Sequence, residues 1–168
     1  MSFWPSFEYV KVHRGAFSPA ECAEFSVAAE RAGFASGNLS DTRRAEIAWV
    51  WSPPLVTKLA SFDCGVPFGV TSVHTGAAQV TRYGLGDRYD WHMDLGPGAM
   101  SMRKYTAVLE LASAQEGGGL EIFSIGNMDL QRGDVAAFPS FVPHRALPVE
   151  RGERLSATVW RLGLEPFR

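Results

Sequence analysis

From about residue 66 onward, glycine and proline cut the chain into short runs rich in β-branched and aromatic residues, and this punctuation constrains the fold more than any other feature. Strands are expected over residues 69–75, 77–83, 88–93, 104–112, 120–124, 134–138, 144–149 and 154–163. Eight short strands with turn signals between them indicate a β-sandwich or double-sheet jelly roll. In such a fold a ligand pocket lies between the sheets and alternate side chains line it. If Tyr83 faces that pocket, Gln79 and Thr81 face it too, while Val80 and Arg82 face away.

The N-terminal part reads differently. Residues 7–13 have strand-like content, with His13 at a surface or edge. Ser18, Pro19 and Glu21 form the start signal of a helix: a capping hydroxyl, a proline suited to the first turn and a carboxylate that completes a capping box. The helix is expected to run to Ala32 with Phe25, Ala28, Ala29 and Ala32 as its apolar face, and Gly33 stops it. Residues 35–46 are small and polar and read as a loop, a candidate lid. Residues 47–51 read as a short buried strand, and Ser52-Pro53-Pro54 opens a second helix to about Phe62. The chain is expected to be one domain, with helical support over about 15–65 and a β core over about 66–168.

Composition excludes several classes. A net charge of −2 offers no electrostatic footprint for nucleic acid or an anionic membrane. No apolar run approaches a transmembrane span, and the first residues lack the regions of a signal peptide. Cys22 and Cys64 show no metal spacing and suit free, partly buried thiols in a reducing cytosol, so a cytoplasmic location is expected.

The chemistry concentrates in Tyr83-Gly-Leu-Gly-Asp-Arg-Tyr-Asp-Trp-His92-Met-Asp94 and in the distant Pro143-His144. Side chains two apart in a strand share a face, so His92 and Asp94 can offer an imidazole nitrogen and a carboxylate oxygen to one ion. The remaining histidines are His13, His74 and His144; nothing near His74 completes a second site, and it is taken as structural. Two histidines and one carboxylate on one face of an ion leave the other face open, as in non-haem Fe(II) oxygenases. Asp90 could also share the face of His92, but the strand-end position of Asp94, before Leu95-Gly-Pro-Gly, favours Asp94. Further on, Arg154 and Ser156 share one strand face, and a guanidinium fork beside a hydroxyl suits a carboxylate.

Taken together, the runs Tyr83-Gly-x-Gly-Asp-x-Tyr89-x-x-His92-x-Asp94, Gly117-Gly-Gly-Leu120, Gly133-Asp-x-x-x-Phe138-Pro-Ser, Pro143-His144 and Gly152-x-Arg154-x-Ser156-x-x-x-Trp160 resemble the Fe(II)/2-oxoglutarate-dependent dioxygenases. The similarity is greatest to the prolyl 4-hydroxylase-like branch, and the closing segment from Trp160 resembles the compact bacterial PKHD-type hydroxylases. The resemblance covers roughly residues 77–168.

The resemblance implies a mostly β fold, a double-stranded β-helix (jelly roll) core with N-terminal α-helices packed on one sheet. It implies Fe(II) held by His92, Asp94 and His144, with 2-oxoglutarate and O2 as co-substrates and ascorbate as a further candidate. Arg154 and Ser156 would hold the distal carboxylate of 2-oxoglutarate, Tyr83 would reach the co-substrate by its hydroxyl, and Leu120 would line the wall. Tyr89 would pack on the His-x-Asp turn, Trp160 would lie at the substrate mouth or in the core, and Gly117–Gly119 would make a tight turn and bind no phosphate. Arg43, Arg44, Gln79 and Trp160 are the candidate substrate contacts. Glu110 departs from the uncharged Tyr or Gln that relatives often carry at this position: either it faces outward, or it tunes the pocket, where it would repel an incoming carboxylate unless paired with a cation such as Arg154. The expected activity is hydroxylation of an unactivated C–H bond in a prolyl residue of a peptide or protein, or in a free amino acid or other small metabolite. The alternative is a cupin-like metal-binding isomerase or small-molecule sensor. No nucleic-acid or membrane partner is expected, and the oligomeric state is not encoded in any motif.

Overall fold

The computed structural model describes residues 9–65, 73–74 and 76–166. A short strand β1 (Lys11–His13) leads into α1 (Pro19–Ala32), followed by β2 (Ala35–Ser36), β3 (Arg43–Arg44), β4 (Glu46–Val50) and α2 (Pro53–Ala60). Then come β5 (Val73–His74), β6 (Ala78–Tyr83), β7 (Arg88–His92), a 3₁₀ turn (Gly98–Met102), β8 (Arg103–Ala112), β9 (Glu116–Gly117), β10 (Leu120–Ile122) and β11 (Gly126–Asn127). The last strands are β12 (Val135–Pro139), β13 (His144–Ala146), β14 (Val149–Arg151) and β15 (Arg154–Leu162).

Among the described residues the strands form an eight-stranded sheet in the order β1-β12-β8-β15-β6-β4-β2, with β5 also on β15, facing a five-stranded sheet in the order β11-β10-β13-β7-β3. Neighbouring strands run antiparallel. This is the expected mostly β jelly roll. Its centre is the long pair β8 and β15, whose register places Ser156 opposite Glu110, Thr158 opposite Val108 and Trp160 opposite Thr106. On the other side of β15, Arg154, Ser156 and Thr158 stand opposite Tyr83, Thr81 and Gln79 of β6.

Strand alternation divides the large sheet into two working faces. Leu155, Ala157 and Val159 point to a core shared with Phe25 of α1 and Val56 and Leu59 of α2, all buried. The intervening residues face the second sheet. At one end of that inter-sheet space Val108, Leu120, Ile122 and Phe138 close a smaller apolar core, leaving the other end as a cavity. The two helices therefore cover the back of the large sheet, and its front is free for the site.

Local signals explain the helix ends. Ser18 Oγ accepts from the Glu21 N–H, and the Glu21 carboxylate accepts from the Ser18 N–H at 2.7 Å. Such a cap contributes about 1 kcal/mol. Gly33, at φ 84°, ends α1 in a conformation costly for other residues. In place of the expected tight turn, Gly117 closes strand β9 against Val149 of β14; at φ 72°, an added Cβ there would sit 2.3 Å from the Pro148 carbonyl oxygen.

Several expectations are corrected. Residues 35–46 are not an irregular loop, because β2 pairs with β4 and β3 pairs with β7. Their sequence lacks the β-branched alternation that marks a strand, and pairing with neighbours supplies what propensity does not. The stretch 47–51 is only half buried: Ala48 and Val50 enter the core, while Trp49 is 44% and Trp51 73% exposed. Val80 faces away from the cavity yet is fully buried, under the helical layer. Ala32 is exposed, and Cys22 takes its place on the buried face of α1. The run 144–149 is two strands, β13 and β14, in different sheets. Cys22 and Cys64 are in no disulfide, as expected, and both are buried rather than partly buried. Residues 7–8 of the first expected strand and most of 69–75 lie outside the described residues, as do the His74 side chain and residues 167–168 of the closing segment.

Candidate metal centre

β7 and β13 are antiparallel neighbours, and their register makes His92 and His144 direct cross-strand partners. His144 and Ala146 are two positions apart, but their partners His92 and Tyr89 are three apart, so β7 carries a bulge at residues 90–91. The bulge breaks the alternation. It turns Tyr89 to the same side as His92, where the two rings stack with centroids 3.4 Å apart. It turns Asp90 to the surface, where its carboxylate pairs with Arg88. Asp90 is thereby separated from the cluster, and Asp94 joins it from just beyond the strand, held by its backbone N–H to the Ser140 carbonyl at 2.9 Å.

The donor atoms of His92, Asp94 and His144 all lie within 4.8 Å of one another. Asp94 Oδ1 is 3.8 Å from His92 Nε2, and Asp94 Oδ2 is 3.7 Å from His144 Nε2. Donors at ~2.1 Å from one first-row metal stand roughly 3 to 3.6 Å apart, so a small contraction would bring the three onto an ion. The imidazoles are oriented alike. His92 Nδ1 is 2.8 Å from the Asp90 carbonyl oxygen and His144 Nδ1 is 2.9 Å from that of Val142. A carbonyl accepts only, so each Nδ1 carries the proton and each Nε2 presents its lone pair to the centre. Burial, reinforced by His144, pulls the His92 pKa down to about 4, which keeps this ring neutral near pH 7.

Asp94 is supported from below. The Thr106 hydroxyl donates to Asp94 Oδ2 at 2.7 Å and lies 3.0 Å from Ser140 Oγ, all three groups being buried. Burial opposes ionisation of Asp94, but the adjacent His144 and His92, with Thr106, hold its pKa below the usual carboxylate range. The Trp160 indole N–H makes no hydrogen bond of acceptable geometry, yet lies near enough to favour the Asp94 anion as well. Arg103 stacks on the Trp160 ring at 3.8 Å and donates to the Asp94 backbone carbonyl at 3.2 Å. The donor set, two imidazoles with Nε2 turned inward and one fixed carboxylate with space above them, fits divalent iron.

A cavity of about 330 Å³ rises from these residues, within the size range of small-ligand sites. The inward ladder of β6 and β15 forms one wall: Gln79, Thr81 and Tyr83 beside Arg154, Ser156, Thr158 and Trp160. Leu120 and Tyr89 line it too. Burial pushes the Tyr83 hydroxyl up to about 12, against the pull of Arg154, so it stays protonated and able to donate. Arg43 lines the mouth and stacks over Tyr89 at 5.1 Å. Arg44 does not: as the next residue on β3 it points to the opposite face, where it pairs with Asp87 at 2.8 Å. Glu110 does not face outward; it is 3% exposed and forks Arg154. Trp160 is buried and lines the cavity.

Thr106, Ser140, Arg103 and Trp49 were not anticipated. Thr106 lies in β8 and Ser140 in the turn just after β12, and no short motif encodes the register that brings them together. Arg103 and Trp49 reach the cavity through the chain path around Met100 and through β4.

A mostly β jelly roll carrying two histidines and a carboxylate at the floor of its inter-sheet cavity defines a class of non-haem metal proteins. The sequence model of the 2OG-Fe(II) oxygenase superfamily matches residues 78–161, and the chain belongs to that superfamily. It is 32% identical over 94 residues to a PKHD-type hydroxylase of Teredinibacter turnerae, covering 50% of this chain and 42% of that protein. It is 34% identical over 90 residues to one of Acidovorax ebreus, covering 47% and 40%. The chain thus spans about two fifths of the length of these curated relatives. Its fold is similar to the viral collagen prolyl hydroxylase of Paramecium bursaria Chlorella virus-1 in complex with 2OG, with a TM-score of 0.75 and 21% identity over 93% of this chain and 97% of that one. It is also similar to a Pseudomonas putida prolyl-4-hydroxylase, with a TM-score of 0.72 and 21% identity over 94% of each chain. No helix among the described residues is long and apolar enough to cross a membrane.

Proposed function

We propose that the chain is an Fe(II)- and 2-oxoglutarate-dependent dioxygenase that hydroxylates an unactivated C–H bond of a prolyl residue in a peptide or protein, or of a free amino acid or small metabolite. The observation that carries this reading is the convergence of His92, Asp94 and His144 beneath a cavity whose wall holds Arg154, Ser156 and Tyr83. His92, Asp94 and His144 would hold the iron, and when bound it supplies the activation of O2 coupled to decarboxylation of the 2-oxo acid to succinate. The protein's own part is positional. Thr106 and the two backbone carbonyls aim the three donors. Ser156, Tyr83 and Arg154 orient the distal end of the co-substrate by hydrogen bonds. Arg43, Gln79, Trp49 and Trp160 surround the approach and would grip the prime substrate, with Arg43 suited to an anionic group. Cys22 and Cys64, which form no disulfide, suit a reducing, cytoplasmic setting.

The test is succinate formation by the Fe(II)-loaded protein with 2-oxoglutarate and O2 and no prime substrate, beside His92→Ala. Slow iron-dependent turnover lost in the variant is expected, and proline-containing peptides can then be screened against free amino acids. Absence of 2-oxoglutarate binding to the iron form would remove the co-substrate assignment.

A further inference from the structure

A buried ion pair stands in the cavity wall. Arg154 is 2% and Glu110 3% exposed. Arg154 Nε donates to Glu110 Oε1 at 3.2 Å and to Oε2 at 3.0 Å, and Nη2 donates to Oε2 at 2.7 Å. All three contacts use the side edge of the guanidinium. Nη1 takes no part in them, and it is not among the sealed polar atoms that lack a partner. Arg154 lines both the main cavity and a smaller hollow of about 120 Å³ behind it, whereas Glu110 lines only the hollow. Arg154 therefore forms part of the partition, with Glu110 behind it. The cross-strand partner of Glu110 is Ser156, which keeps its hydroxyl on the cavity side.

The charges around the anchor follow directly. Arg154 supplies one positive charge and Glu110 one negative charge, and the smaller hollow is lined by a further carboxylate, Asp129. An arriving carboxylate would meet donors from the end edge of the guanidinium, but over a pair that is already neutral, and it would leave a net negative charge in a buried place. A hydrogen bond to an unopposed charged group favours its ionic partner by about 10- to 150-fold. Here much of that preference is cancelled.

We propose that Glu110 is a specificity-determining residue that, by neutralising Arg154, lets the pocket accept 2-oxo acids with an uncharged distal end almost as well as 2-oxoglutarate. Glu110 acts through Arg154 and is a positioning residue, not a catalytic one. The proposal rests on the co-substrate assignment above.

The experiment measures binding, not turnover. The Fe(II)-loaded protein, kept free of O2, is titrated calorimetrically with 2-oxoglutarate and with 5-methyl-2-oxohexanoate, in which an isopropyl group replaces the distal carboxylate. In the wild-type protein the two dissociation constants are expected to lie within about tenfold of one another. Glu110→Gln keeps an amide oxygen for Arg154 to donate to while removing the charge. It is expected to tighten 2-oxoglutarate by at least about tenfold and to move the uncharged acid by less than about threefold. A purely structural role for Glu110 would change both acids together. A wild-type preference for 2-oxoglutarate beyond about a hundredfold overturns the proposal, and so does an unchanged ratio in a folded variant. If Glu110→Gln does not fold, the wild-type ratio alone decides. Binding of neither acid overturns the co-substrate assignment and the proposal with it, whereas tight 2-oxoglutarate binding with an unaltered ratio overturns the proposal alone.

Discussion

Replacing Thr106 by valine separates support of the metal site from support of the fold. The two side chains have nearly the same volume, and Thr106 is fully buried, so the substitution exchanges one hydroxyl for a methyl without opening a cavity. It removes the 2.7 Å hydrogen bond to Asp94 Oδ2 and leaves the Ser140 hydroxyl, 3.0 Å from Thr106 Oγ1, without that neighbour. A hydrogen bond to a buried charged group is worth about 1.5–3 kcal/mol. At roughly 2–4 °C per kcal/mol for a chain of this size, the metal-free variant should melt about 3–12 °C lower. If the bond were equally strong with and without metal, metal affinity would not move at all. The argument for a site role is that the hydroxyl aims one carboxylate oxygen, and losing such a supporting partner typically costs about 10- to 100-fold in metal affinity. Calorimetric titration of Fe(II) into both proteins under anaerobic conditions reads this directly, with Thr106→Ser as the rescue. A lowered melting temperature with unchanged iron affinity would refute the reasoning and reduce Thr106 to a structural hydroxyl.

Two further predictions follow from the site. The His92 pKa, held near 4 against an ordinary value of 6.5, means that the folded metal-free protein binds fewer protons than the unfolded chain between those values. Its stability contribution is therefore fully present above about pH 6.5 and declines as pH falls toward 4, by about 3 kcal/mol. Urea midpoints of the metal-free protein across that range should show the decline, and His92→Gln should flatten it; parallel curves would contradict the assignment. Arg43 and Arg44 should differ sharply although they are adjacent. Arg44→Ala removes an exposed ion pair worth about 0–1 kcal/mol and should leave turnover within about twofold, whereas Arg43→Ala should raise KM for the prime substrate by about tenfold or more. Equal effects of the two substitutions would mean that the cavity mouth is not where the substrate is held.

Much of the site was legible in the sequence because its chemistry is carried by rare residue types at strand spacing. His92-x-Asp94 and Arg154-x-Ser156 each declare a shared face, and Gly117 marks a close backbone approach that a Cβ would obstruct, though in a strand and not in the expected turn. The supporting hydroxyls were not legible. Thr106 is an ordinary strand residue and Ser140 an ordinary turn residue just beyond β12, and their contacts at Asp94 depend on how β8 and β12 are aligned. Arg43 and Arg44 were indistinguishable as a sequence pair, since the choice between cavity and surface needs the phase of a two-residue strand.

The sequence by itself determined the run of short strands and the capped first helix, and it singled out the candidate residues His92, Asp94, His144 and Arg154, because turn chemistry, capping and side-chain alternation are local. Only the tertiary structure decided the rest. The pairing of β7 with β13 made His92 and His144 neighbours, and the bulge in β7 chose Asp94 over Asp90. The register of β8 against β15 set Glu110 beside Arg154, facing the smaller hollow behind the cavity wall. Each of these depends on contacts between residues far apart in the chain, whose alignment is set by burial of the whole sheet and not by any local preference.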